Sequence, residues 1–268
     1  MIPKSVISAV NIGNTTTSAA IFVGGSLVRT TRVPTLRLRE IWRIFGRAAE
    51  DFRERTTAIV VGSVVPSLNE AAAEIASREF DVPARFYRVD IPAGIELRVE
   101  QPERVGDDRV ANALAAYRRF NGPAVVVDMG TAITVDVVSD DGAFLGGAIM
   151  PGAGTCAKTL AKHTALLPHV DLAGEPTFPG KTTEAAVRSG LMHGVAGAVD
   201  RLVEMAWEVL GTEAPVIGTG GETKAVAPVS KHIEEIEPAL TLEGLARAVE
   251  FMLGSETQAI GIRPGTKS

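Results

Sequence analysis

The chain has a single cysteine, Cys156, which rules out an internal disulfide framework and a cysteine-based zinc cluster. It has no run approaching the roughly 20 apolar residues that span a bilayer. Met1–Val10 leads directly into an expected strand and does not resemble a secretory signal. A net positive charge is also lacking. The net charge is −5 and the pI near 5.5, which argues against general nucleic-acid binding, where clustered Lys and Arg must neutralise phosphates. The one arginine-dense stretch, Arg29 to Arg55, alternates with Glu40, Glu50, Asp51 and Glu54 and reads as the solvated face of a helix. The histidines His163, His169, His193 and His232 show no paired ligand spacing and read as structural or surface residues. These absences leave a cytoplasmic enzyme as the expectation, with neither membrane nor nucleic acid as a partner.

What is present is a duplication. Val10-Asn11-Ile12-Gly13-Asn14-Thr15-Thr16-Thr17 returns as Val127-Asp128-Met129-Gly130-Thr131-Ala132-Ile133-Thr134. The offset is a constant 117 residues (11 to 128, 13 to 130, 17 to 134), and it also carries Gly25 to Gly142 without a gap. At 268 residues the chain has room for two domains of ordinary size. The break at Asn121-Gly122-Pro123 sets them at 1–121 and 122–268. Two facing turns of this kind suit a nucleoside triphosphate held in a cleft. The copies differ at the position best placed to handle charge, Asn11 in one and Asp128 in the other.

Ser5–Val10, Thr17–Val23 and Ser26–Val33 read as consecutive strands, the last two joined by the hairpin signal Gly24-Gly25. Leu38, Ile41, Phe45, Ala48 and Phe52 recur at helical spacing. Ala58–Val61 reads as a strand, Leu68–Phe80 as a helix after Pro66-Ser67, and Arg104–Phe120 as a helix with Val110, Leu114 and Tyr117 on one face. Strands follow at Ala124–Asp128, Ile133–Val138 and Phe144–Met150. A long helix is expected from Thr183 to Leu210, with Val187, Leu191, Val195, Ala198, Leu202 and Met205 inward. Gly190, Gly194 and Gly197 within it invite close approach of another helix, in this chain or a partner. The order of elements makes a mixed α/β layer rather than a purely parallel sheet.

Glycine lets a backbone approach a phosphate, and the N–H and hydroxyl groups that follow donate to its oxygens. Asn14, Thr15, Thr16, Thr17 and Ser18 offer such donors in the first turn and Thr131 in the second. One such turn is common in hairpins that bind nothing; two at the same place favour a ligand. Ile217-Gly218-Thr219-Gly220-Gly221-Glu222 reads equally as a platform for adenine or ribose and as a plain strand–helix turn. Lys158, Lys162 and Lys181 read by default as surface residues. In Gly106-Asp107-Asp108-Arg109 an N-cap role covers Asp107, but two carboxylates followed by Arg exceed what capping needs. The Arg can fork onto a substrate carboxylate while an Asp takes a proton from a hydroxyl.

In this order the motifs resemble those of the type III pantothenate kinases, over nearly the full length. Asn11-Ile12-Gly13-Asn14-Thr15 is similar to the family's Asp-x-Gly-Asn-Thr phosphate loop, with Asn11 in place of the Asp. Ser63-Val64-Val65-Pro66, the stretch Pro102 through Asn112, and Asp128-Met129-Gly130-Thr131-Ala132 follow. Gly146 through Gly152, Leu167-Pro168, Gly180-Lys181-Thr182-Thr183, Thr219-Gly220-Gly221 and Leu240 through Leu245 complete the series. The resemblance implies an α/β fold of two duplicated ribonuclease-H-like domains, as in actin-like ATPases and sugar kinases, with the nucleotide cleft between them. It implies ATP-dependent phosphorylation of pantothenate, the first step of coenzyme A biosynthesis, by a homodimer using Mg²⁺ and a monovalent cation, K⁺ or NH₄⁺.

The resemblance also implies the roles. Asn11, Ile12, Gly13, Asn14, Thr15, Thr16, Thr17 and Ser18 wrap the ATP phosphates, with Thr131 opposite. Gly106, Asp107, Asp108 and Arg109 hold pantothenate, Asp108 as proton acceptor and Arg109 on the carboxylate, and Thr183 is a further contact. Val99 stands where the family usually has a Tyr against pantothenate, and Asp128 binds the monovalent cation. Asn11 and Val99 motivate two alternatives: a catalytically impaired nucleotide- or pantothenate-binding relative with a regulatory role, and a kinase for another small hydroxy acid.

Overall fold

The computed structural model describes residues 5–37, 52 and 55–259. The helix expected over 38–52 lies, Phe52 apart, outside the described residues, as does most of the arginine-dense stretch. The chain opens with strands β1 (Val6–Ile12), β2 (Thr16–Val23), β3 (Ser26–Pro34) and β4 (Thr56–Ser63), helix α1 (Asn69–Phe80) and β5 (Ala84–Phe86). Strand β6 (Glu96–Leu97) and helix α2 (Asp107–Phe120) lead to β7 (Ala124–Met129), β8 (Ala132–Val138) and β9 (Ala143–Pro151). Helices α3 (Ala153–His163) and α4 (Thr183–Leu210), strand β10 (Val216–Thr219), the short helix α5 (Thr223–Val226), β11 (Glu235–Ile236) and α6 (Leu240–Ala259) complete the order.

One sheet runs β3-β2-β1-β4-β5 and the other β11-β10-β7-β8-β9-β6. Read outward from the hairpins, β3-β2-β1-β4-β5 and β9-β8-β7-β10-β11 are the same arrangement. The hairpins are antiparallel and the remaining pairs parallel in both. The duplication in sequence is therefore a duplication of a five-strand α/β unit. β1 and β7 are central and covered on both faces, so they read as almost unbroken apolar runs. The one half-exposed position in each is Asn11 and Asp128. β3, at an edge, exposes Arg29, Thr30 and Arg32 as well as Leu27 and Val28, and charged side chains of this kind are a usual protection of an open edge. Gly24 and Gly25, at φ 57° and 77°, make the two-residue turn that only glycine enters readily.

The repeat is gapless in letters but not in register. Asn11 faces Ser18, whereas Asp128 faces Thr134, so the second turn is one residue tighter than the first. The next connection returns the residue, with Asp140-Asp141-Gly142 where the first copy has Gly24-Gly25. Gly142 thus regains the position of Gly25, both at positive φ.

The chain divides into two compact units: the described residues up to Ile95 with Arg104–Ala115 and Thr241 onward, and Glu96–Glu103 with Ala116–Leu240. This differs from a division into 1–121 and 122–268, for reasons of packing. Glu96 and Leu97 pair with Ala143 and Phe144 of β9. Gly244 of α6 lies so close to the Ala111 backbone that a Cβ would collide with it, and the Leu245 side chain fills the space over Gly62 of β4. In the first unit α1 packs Ala72, Ile75, Ala76 and Phe80 onto the sheet, the i, i+3, i+4 stripe of an amphipathic helix.

In the second unit α4 spans the expected residues, with Thr182 as N-cap accepting from Ala185 N–H at 3.1 Å and Gly211 closing it at φ 70°. Its buried stripe includes Met192, Val195, Ala196, Val199, Val203 and Ala206. Of the expected inward set only Val195 is in it: Val187, Leu191, Ala198 and Leu202 are half-buried and Met205 is 45% exposed. The helix is apolar on more than one face, so its periodicity fits two phases. Among the described residues no helix is long and apolar enough to cross a membrane.

Candidate active site

The first turn is held from behind. Gly13 N–H donates to Thr16 O at 3.1 Å, and a Cβ on Gly13 would sit 2.9 Å from that carbonyl, so this closure needs glycine. Thr35, buried after β3, donates its hydroxyl proton to Gly13 O at 2.6 Å and its N–H to Thr15 O at 2.9 Å. With that proton committed, Thr17 is the donor in the 3.1 Å bond between the Thr17 and Thr35 hydroxyls. Thr17 is thus turned inward, while Asn14 and Thr15 are exposed at the tip. Asn11 Oδ1 is buried with no hydrogen-bond partner. An unsatisfied buried acceptor costs about 1–3 kcal/mol, which a bound donor or the water shell of a hard cation relieves.

β4 joins this turn to the acid pair. Ile12 O accepts from Val64 N–H at 3.1 Å, and Ser63 N–H reaches Asp107 Oδ2 at 3.4 Å. Asp107 Oδ1 faces Arg88 Nη1 at 3.3 Å, and the same guanidinium donates to Val105 O. The carboxylate of Asp107 therefore does not serve as the N-cap of α2, as its position suggested; it ties the loop to β4 and to Arg88. Gly106 supplies the first helical acceptor, taking Val110 N–H at 3.2 Å. Asp108 Oδ1 accepts from Arg109 N–H at 2.8 Å, and a Cβ on Gly106 would lie 2.6 Å from that oxygen. Glycine makes the room this carboxylate occupies. Burial pushes the Asp108 carboxyl above its ordinary range, against the opposing pull of the Arg109 backbone and charge. Burial also raises Asp107, opposed by Ser63 and Arg88. A carboxylate raised by desolvation is a stronger proton acceptor once ionised.

The second turn is covered from the front. Gly220, at φ 93°, lies where a Cβ would strike both Asp128 Oδ1 and Met129 O. Glu222 N–H donates to Met129 O at 2.9 Å. The Glu222 carboxylate accepts from Gly154 N–H at 3.2 and 3.3 Å, at the N-terminus of α3, where negative charge is favoured. Thr131 O takes Gly152 N–H at 3.0 Å and Thr155 Oγ1 at 2.7 Å, while the Thr131 side chain is exposed. Among the described residues no three His, Cys, Asp or Glu are grouped to hold a metal ion. Asp128 supplies a single carboxylate at this turn, and Met129 O beside it already accepts Glu222 N–H.

The family described as type III pantothenate kinase matches residues 8–205. A type III pantothenate kinase of Anaeromyxobacter sp. (strain K) is 38% identical over 247 residues, covering 90% of this chain and 97% of that protein. The chain belongs to the type III pantothenate kinase family. Among solved structures, the ROK hexokinase of Thermus thermophilus matches with a TM-score of 0.51 at 16% identity, over 92% of this chain and 99% of that one. Component A of the Acidaminococcus fermentans (R)-2-hydroxyglutaryl-CoA dehydratase matches at 0.52 and 14% identity, over 92% and 97%. At such identities the likeness bears on the fold alone, which is that of actin-like ATPases and sugar kinases.

Within this pantothenate kinase family chain, the expected residues fall in both units. Asn11–Ser18 and Gly106–Arg109 share the first, connected through Ser63. Val99, Asp128, Thr131 and Thr183 belong to the second. There Val99 Cγ1 packs 3.5 Å from where a Cβ on Gly146 would be, and Thr183 is the exposed first residue of α4. Several motif residues are ties rather than ligands: Asn112, fully buried, accepts from Thr241 Oγ1 at 2.8 Å and fastens α2 to α6. Sequence reasoning gave no role to Arg88, Thr35 or Glu222. Only Glu222 sat in a quoted motif; the other two have no spacing signal and are recognised by their partners alone. Lys158, Lys162 and Lys181 are exposed, and so are His163, His169 and His193. His232 packs edge-on to Trp207 at 4.7 Å and meets Glu204 at 3.4 Å.

Proposed function

We propose that the protein transfers the terminal phosphoryl group of ATP to the primary hydroxyl of pantothenate, forming 4′-phosphopantothenate and ADP. The observation that carries this reading is Asp108. Its carboxylate is half-buried, raised in proton affinity by desolvation and seated in the space left by Gly106, on a loop bound through Ser63 to the strand beside the Asn11 turn. The pantothenate hydroxyl oxygen forms the new bond to phosphorus, the bond from phosphorus to the ADP oxygen breaks, and Asp108 takes the hydroxyl proton. Arg109 pairs with the pantothenate carboxylate, with Gly106, Asp107, Val99 and Thr183 as further acceptor contacts. Asn11 to Ser18 and Thr131 wrap the phosphates, Thr17 from behind. Positioning and charge stabilisation supply most of the rate in such a transfer.

Two cations fit the residues present. Asn11 Oδ1, the unpartnered acceptor, suits the water shell of Mg²⁺ entering with ATP, and Asp128 with Met129 O suits K⁺ or NH₄⁺. When bound, these ions supply positive charge to the phosphates. The protein acts as a cytoplasmic homodimer through α4. In support, a Cβ on Gly190, Gly194 or Gly197 would meet nothing within 4 Å among the described residues, and Val209 is 70% exposed. A groove of about 770 Å³ lined by Phe178, Gly180, Ser189 and His193 runs along the same helix.

ADP release is measured with Mg-ATP, pantothenate and K⁺ or NH₄⁺, and with other small hydroxy acids in its place. Turnover of pantothenate is expected. Turnover of a different hydroxy acid alone transfers the reading to that substrate, which Val99 in place of an aromatic would favour. ATP binding without any turnover identifies an impaired relative with a binding or regulatory role. Light scattering should give twice the chain mass of 28.1 kDa; a monomer refutes the dimer.

A further inference from the structure

Among the described residues, three other than glycine have positive φ: Asp81 at 54°, Arg88 at 62° and Asn121 at 51°. Asp81 and Asn121 follow the last residues of α1 and α2, where a left-handed residue ends a helix at little cost and where short polar side chains tolerate it. Arg88 has neither excuse. It is long, it ends no helix, and a left-handed backbone strains it.

The turn that imposes this conformation is firmly closed. Asp90 N–H donates to Phe86 O and Arg88 N–H to Ile91 O, both at 2.8 Å. Asp90 Oδ2 accepts Phe86 N–H at 2.7 Å. Tyr87, fully buried, donates its hydroxyl to Ala93 O at 2.6 Å. The result turns the Arg88 side chain inward, only 15% exposed. Its guanidinium then holds the loop on both sides of Gly106, by the Val105 carbonyl before it and the Asp107 carboxylate after it. Gly106 cannot steady the loop itself, because the room a side chain would need is taken by the Asp108 carboxylate. The conformation of the acid-bearing loop therefore depends on ties from outside, and Arg88 supplies two of them.

We propose that Arg88 is a positioning residue for the acceptor substrate, its guanidinium fixing Val105–Asp107 and through them the carboxylate of Asp108. The proposal rests on the kinase reading above. It goes beyond the motifs, none of which contains Arg88.

The test is steady-state kinetics in both substrates on the wild type, Arg88→Gly, Arg88→Met and Arg88→Lys, with melting temperatures. Glycine relieves the backbone, so Arg88→Gly separates the strained conformation from the guanidinium. Arg88→Gly and Arg88→Met are each expected to lower kcat/KM for pantothenate by about tenfold or more, with the KM for ATP within about twofold of wild type. Arg88→Lys should recover part of the loss. Unchanged pantothenate kinetics in Arg88→Gly overturns the proposal while leaving the kinase reading intact. So does an equal decline toward both substrates with a lowered melting temperature, which marks general structural support. A folded wild type that does not phosphorylate pantothenate overturns the kinase reading, and the positioning role with it.

Discussion

The two glycine-bearing turns began as one pattern and are now held in opposite ways. The first is neutral, three residues wide, and buttressed from inside by Thr17 and Thr35, which leaves its tip open. The second is a residue shorter and charged, and it is clamped from outside by Gly220, Glu222 and the start of α3. In the second unit the carboxylate sits at the end of the strand that leads into the turn, at Asp128. In the first unit the acid is a separate residue, Asp108, linked to the turn through Ser63 and Asp107. The difference is one of support: a donor-rich loop braced from inside in one copy, and a charged turn covered from outside in the other.

If the chemical charge of the first unit resides in Asp108, Asp108→Asn is the most damaging change. It should reduce kcat by about 10²–10⁴-fold, the usual contribution of a general base. Because burial raises this carboxyl, the acid limb of the wild-type kcat/KM profile should lie above the ordinary value of about 3.9. The sign for stability follows from the same shift. A folded-state pKa above the unfolded one makes the ionised form unfavourable to folding. Asp108→Asn should therefore be at least as stable as wild type at neutral pH, with its advantage fading as pH falls through the raised pKa. An active Asp108→Asn removes Asp108 from the base role.

Asp128→Asn makes the second turn resemble the first. Loss of the carboxylate proposed to hold the monovalent cation takes that ion's positive charge away from the phosphates, and losing one such electrostatic contribution typically lowers rate by about 10²–10³-fold. The specific signature is the activity curve against K⁺, which should flatten. A variant that keeps the wild-type K⁺ dependence places the cation elsewhere.

The converse, Asn11→Asp, gives the first turn the charge of the second. A full charge at 4 Å in an effective dielectric of 20 is worth about 4 kcal/mol, an upper bound for a contact made through water. A gain of about tenfold in kcat/KM for Mg-ATP, near 1.4 kcal/mol, is the expected scale. No gain, or a loss, means that the neutral turn is matched to its ligand and that Asn11 is no impairment.

Much of this comparison was legible in the letters, and the reason is local. Gly24-Gly25 and the apolar runs of β1 and β7 each specify their own structure, so both hairpins are readable. What escaped depends on partners distant in sequence. α3 starts at Gly152-Ala153-Gly154 with no polar cap of its own, and its cap is the carboxylate of Glu222. β6 and β11, two residues each, exist only through β9 and β10. The one-residue register difference between the turns was hidden because identical letters sit at positions paired differently. At the site the acid pair and the turns were readable by residue type. Arg88 and Thr35 were not, because ordinary-looking loop residues gain meaning only from what folds against them.

The smallest expected effect tests the buttress that only the first turn has. The residue facing Ile12 is Thr17, but the one facing Met129 is Ile133, so the second turn has no hydroxyl pair behind it. Thr35→Val keeps the shape and removes the bond to Gly13 O, leaving the Thr17 hydroxyl buried without its acceptor. A loss of about 1–2 kcal/mol in chemical denaturation is expected, the usual consequence of stranding one partner of a buried hydrogen bond. Adding Thr17→Val removes the stranded hydroxyl, so the double variant should be no less stable than Thr35→Val and closer in kind to the second turn. If the two losses simply add, the hydroxyls act independently. The inward Thr17 would then be no buttress, and the contrast between a turn held from behind and one held from the front would reduce to the charge at Asn11 and Asp128.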